Sequence, residues 1–144
     1  MGIKKQMIHF GEFLLPHLSN LSYTLDGKPG AQVLFYHDAK DDMVISFEEG
    51  MICMDADHRR LKNRRTIHAE HQEQSRYLHQ YKILSEDKDR FSDIVFFHLE
   101  ISDDAGRAHS CPGQMVLSGK YRQEDGVEPV LIELLRNTEL ACAI

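Results

Sequence analysis

The sequence predicts an α+β domain, an antiparallel sheet with one helix near the N-terminus and another near the C-terminus. Helical spacing is the first observation: Met7, Phe10, Leu14, Leu18 and Leu21 form one apolar stripe, and Val130, Leu131, Leu134, Leu135 and Thr138 form another. The second is alternation of apolar and polar residues between those ends, the period of a half-buried strand. The third is punctuation, with polar turns at Gly27-Lys28-Pro29-Gly30 and Ala39-Lys40-Asp41-Asp42. A small closed β-barrel with flanking helices is the alternative, since strands dominate and closure removes exposed edges.

The first helix is interrupted by Pro16, which lacks a backbone donor and ends or kinks the run near Leu15. Residues 22–55 then read as a meander of four short strands. Val33, Phe35 and Tyr36 mark the second, Met43, Ile45 and Phe47 one face of the third, and Met51–Met54 the fourth. Residues 56–92 carry neither Gly nor Pro. Good helix formers over Ala69–Leu84 favour a solvent-exposed helix there, with a long two-stranded ribbon as the other solution. Asp93–Ser102 is the clearest strand, with Val95, Phe97, Leu99 and Ile101 on one face and Phe96, His98 and Glu100 on the other. Arg107–Tyr121 supplies one or two more strands, broken at Pro112-Gly113. Glu128 and Pro129 suit the first turn of the closing helix. The expected core is Phe35, Ile45, Phe47, Val95, Phe97, Leu99, Leu131 and Leu134.

Composition narrows the function classes. The chain has 144 residues, ordinary for a single domain, and its net charge of −6 disfavours a general role on nucleic acid, whose phosphates demand a positive surface. Cys53, Cys111 and Cys142 are odd in number and widely spaced, neither a disulfide framework nor a zinc cradle, which suits a reducing, cytoplasmic setting. No apolar run is long enough to cross a bilayer as a helix, and the Met7–Leu15 stretch is too broken by His9, Gly11 and Glu12 for a signal peptide. Neither Gly2 nor Cys142 sits in a lipidation box.

Four constellations are candidates for chemistry. On a helix, His68, His71, Ser75 and His79 would form one stripe, and three imidazoles could hold zinc through nitrogen. The spacing matches no standard metal box, and on a strand His68 and His71 would fall on opposite faces, so no bound metal or other cofactor is expected. Asp55 and Asp57, with His58 adjacent, end a predicted strand, a position from which carboxylates act as acid and base or hold a metal. Arg59, Arg60, Lys62, Arg64 and Arg65 crowd into seven residues of an otherwise acidic chain and could hold an anion or an acidic partner. Pairing with Asp41, Asp42, Asp55 and Asp57 is the expected outcome for these cations. Finally, His109 precedes Cys111-Pro112, a dipeptide better explained by a turn than by haem.

The chain carries no Gly-rich phosphate loop and no nucleophile elbow. The expectation is a non-catalytic binding or regulatory domain that self-associates, most simply as a homodimer, or meets a protein partner. The competing expectation is a small enzyme or ligand binder using Asp55, Asp57, His58 and the nearby histidines, or anion or nucleic-acid binding through Arg59–Arg65. Convergence of those groups on one pocket separates the two.

Overall fold

A computed structural model describes residues 7–18, 20–40, 43–49, 61–71, 74–84, 91–102 and 114–141. The chain opens with β1 (Met7–Phe10) and β2 (Phe13–Pro16), which pair antiparallel with Phe10 opposite Phe13. A hairpin therefore replaces the N-terminal helix expected from the Met7–Leu21 stripe. Gly11, at φ 58°, makes the reversal that a helix cannot accommodate. Strand alternation on either side of that turn buries Ile8 and Phe10, then Phe13 and Leu15.

Three strands follow as a meander: β3 (Ser22–Asp26), β4 (Val33–His37) and β5 (Met43–Glu48). The expected fourth strand, Met51–Met54, lies outside the described residues. Next come β6 (Leu61–His71) and β7 (Gln74–Leu84), paired antiparallel along their whole length. The helix favoured for 69–84 is thus overturned in favour of the ribbon. β7 alternates strictly, burying Arg76, Leu78 and Gln80. That period of two is incompatible with a helical stripe. β8 (Phe91–Ser102) and β9 (Gln114–Arg122) complete the set, ahead of the helix α1 (Val127–Asn137) and the short β10 (Glu139–Leu140).

Seven strands form one sheet in the order β3-β4-β5-β9-β8-β7-β6, and β1-β2-β10 form a second. The large sheet is open among the described residues, β3 and β6 being its edges, so the closed barrel does not form. One helix is present among the described residues.

The small sheet and α1 lie on the same face of the large one, and a single core fills the space between. Ile45, Phe47, Val95, Phe97, Leu99, Leu131 and Leu134 are buried as expected, but Phe35 is not in the core. On β4 the inward residues are Leu34 and Tyr36, one position out of phase with the expected face. The Tyr36 hydroxyl donates to the Pro16 carbonyl at 3.0 Å, tying the small sheet to the large, and burial pushes its pKa up. Gly119 is the register partner of both Phe47 and Phe97. A Cβ there would lie 2.5 Å from Phe97 Cζ and from the Ser46 carbonyl oxygen.

The largest fully buried side chain is charged. Arg76, 1% exposed, donates to the carbonyls of Leu135 (3.1 Å) and Thr138 at the C-terminal end of α1, and to Gln74 Oε1 at 3.0 Å. Those carbonyls have no partner within the helix, and a cation there also meets the negative end of the helix dipole. Burial lowers the Arg76 pKa, partly offset by Glu139.

Two stability outcomes follow from this packing. Arg76→Ala leaves two carbonyls unpaired in the interior and should lower the unfolding free energy by ~2–4 kcal/mol in urea titrations. A loss under ~0.5 kcal/mol would mean the helix end is held by other contacts. Gly119→Ala forces its methyl group into Phe97 and backbone, and should cost ~1–3 kcal/mol by the same measurement. An unchanged midpoint would show that β9 can move aside.

Candidate functional site

Alternation sends every second residue of β6 to β9 to the face away from α1. The register sets Thr66, His79, His98 and Ser118 side by side, one from each strand. Thr66 Oγ1 lies 3.0 Å from His79 Nδ1, and Ser118 Oγ lies 3.3 Å from His98 Nδ1. On its other side His79 Nε2 faces Glu100 Oε2 at 3.4 Å. In the Nε2–H tautomer of His79, Nε2 donates toward Glu100 and Nδ1 accepts from the Thr66 hydroxyl.

Rings surround this row. His68 stacks on Tyr77 with centroids 4.6 Å apart, and Tyr77 stacks on His79 at 5.8 Å. Tyr81 meets His98 edge-on at 5.4 Å. The result is a sheet surface of imidazoles and phenols fixed by cross-strand pairing. His98 is only 7% exposed, and its pKa is lowered by burial and then by His79, with Glu100 opposing.

The sequence-derived candidates are dispersed. Of the histidine stripe, His68 and His79 share this face, whereas His71, an odd step from His68 along β6, pairs with Gln74 at the ribbon's end. Among the described residues no group of three or more His, Cys, Asp or Glu converges to hold a metal ion. Asp55, Asp57 and His58 lie outside the described residues, as do Arg59, Arg60, Cys111 and Pro112. Lys62 and Arg64 fall in β6, where the register shifts between Asn63 and Arg65. Arg65 pairs with Glu128 in the first turn of α1. This partner differs from the upstream aspartates expected for the cluster, because the sheet register brings Arg65 to the helix face beside Gln80.

Sequence reasoning missed Tyr77, Tyr81, His98, Glu100 and Ser118 as a group. The alternation of β8 already separates His98 and Glu100 from Val95 and Phe97. Their neighbours on β7 and β9 depend on register, which a single strand does not encode.

Chemically the row resembles a relay more than a reaction centre. Ser118 Oγ and His98 form a hydroxyl–imidazole pair, but Ser118 is 6% exposed in mid-sheet. The adjacent carboxylate, Glu100, serves His79 instead. Ser118 lies opposite His98 within the ladder between β9 and β8. Comparison with protein-family models, curated proteins and solved structures finds no match.

The His98 environment fixes a sign for pH. Its native pKa lies below the unfolded value of 6.5, so as pH falls through that window the unfolded chain binds protons first. Stability is fully present above that value and declines below it. Urea midpoints at about pH 7.5 and about pH 5.5 should show the decline in the wild type and a smaller one in His98→Gln. Equal declines would assign the effect to other groups.

Proposed function

We propose that this chain is a non-catalytic binding or regulatory domain that self-associates, two copies joining through the outer edge of β6. One observation carries the reading: β6 is an eleven-residue strand, paired with β7 on one side and with no strand on the other among the described residues. Such an edge presents a row of backbone donors and acceptors, the template for strand addition. The opposite edge, β3, has five residues and is exposed throughout, a poorer template.

Charge along β6 favours a second copy as the occupant. Lys62, Arg64 and Arg65 lie at its start and Glu70 near its end. An antiparallel copy sets the Glu70 end of one strand beside the cationic end of the other, twice, across a two-fold axis. The register shift at Asn63/Arg65 and the flanking cations blunt this edge against indiscriminate partners. Arg65 remains available to Glu128 in its own chain.

The reading keeps the chain in the cytoplasm, on the support of its unpaired cysteine pattern. No helix among the described residues is long and apolar enough to cross a membrane. A nucleic acid partner is disfavoured by the net charge of −6. Asp55, Asp57 and His58, on which the enzymatic reading rests, lie outside the described residues.

Light scattering at about 10–100 μM should give a dimer mass. Glu70→Lys should weaken the dimer about tenfold or more, and the swapped Lys62→Glu/Arg64→Glu/Glu70→Lys chain should recover it. A wild type that stays monomeric, or a Glu70→Lys variant that dimerises as tightly, would falsify the proposal.

A further inference from the structure

A cavity of about 380 Å³ opens on the outer face at the far end of β5, β9 and β8, away from the β6 edge. That volume is at the small end of ligand sites and suits a metabolite-sized molecule. Its floor follows from register. Ile94 is the partner of Arg122, and Val44 lies one step beyond the Ile45–Tyr121 pair, so Val44, Arg122 and Ile94 form one row. Ile94 is 39% exposed, an apolar side chain left facing water in the cavity. Lys120 stands in the next row, while Asp38 and Glu124 close the rim.

Charges of both signs line this cavity. Lys120 is engaged by Glu48 at 3.6 Å. Arg122 and Glu124 are opposite in sign and line the same small space, yet they form no ion pair with each other or with any described residue.

We propose that this cavity binds a small zwitterion with an apolar side chain, the chemistry of an aliphatic α-amino acid. Its carboxylate meets the planar fork of Arg122, with Lys120 adding positive field. Its ammonium group meets Glu124 and Asp38. Its hydrocarbon part covers Ile94 and Val44 and removes them from water. The molecule thereby bridges two charges that the fold holds apart. The site is independent of the β6 edge, so its failure would leave the self-association reading untouched.

L-Leucine is the probe, set against 4-methylpentanoate, which lacks the ammonium, and isoamylamine, which lacks the carboxylate. Ligand-observed NMR titration of the full chain should show saturable leucine binding, with either single-charge analogue weaker by about tenfold or more. Arg122→Gln should abolish binding. Glu124→Gln should remove the preference for leucine over 4-methylpentanoate. Both side chains are exposed, and an unchanged thermal midpoint checks that the variants are folded. Three results overturn the proposal: no saturation by leucine at ~10 mM, equal binding of leucine and 4-methylpentanoate, or leucine binding that survives Arg122→Gln.

Discussion

Arg76 is the residue on which the arrangement of layers depends. A guanidinium carried into a protein interior without compensation is costly, and here the compensation comes from carbonyls at the end of α1 rather than from a carboxylate. The Leu135 and Thr138 carbonyls need donors because a helix end has none of its own. Arg76 therefore ties β7 to the end of α1 at the point where the chain turns into β10. Since β10 pairs with β2, the same anchor seats the N-terminal hairpin beside the helix.

With α1 and the small sheet committed to one face, the other face of β6 to β9 is left to side chains that pack on one another. Histidines and tyrosines suit that surface, because each ring has an apolar body and a polar edge. His79 uses both ring nitrogens, one on Thr66 and one toward Glu100. The tight approach of Phe97 across Gly119 lets β5, β9 and β8 remain in register behind this surface. The functional readings follow from what this packing leaves over: one long strand edge among the described residues, and one end of the sheet where Arg122 and Glu124 line a cavity without pairing with each other.

Parts of the design were legible in the sequence. The inward face of β8 could be read from Val95, Phe97, Leu99 and Ile101, because alternation that strict fits only a strand with one face covered. The closing helix was equally plain, with Leu131, Leu134 and Leu135 at helical spacing behind Glu128 and Pro129. Other elements misled for identifiable reasons. The spacing of Met7, Phe10 and Leu14 fits a helix and also fits two short strands joined at Gly11, and only the turn geometry distinguishes them. Val33, Leu34, Phe35 and Tyr36 are apolar or aromatic in succession, so β4 carries no alternation from which its inward face could be chosen.

The sequence by itself determined the sheet-rich character, the closing helix, the β8 core face and the charge contrast between the 59–65 cluster and the rest of the chain. These are local properties, set by period, propensity and composition over ten or so residues. Tertiary structure decided the remainder: that β6 and β7 pair as a ribbon, that Arg65 meets Glu128, that Arg76 is buried, and that His79 faces His98. Each of those depends on which strand lies beside which and in what register. Pairing is a relation between distant segments, and one segment's residues do not carry it.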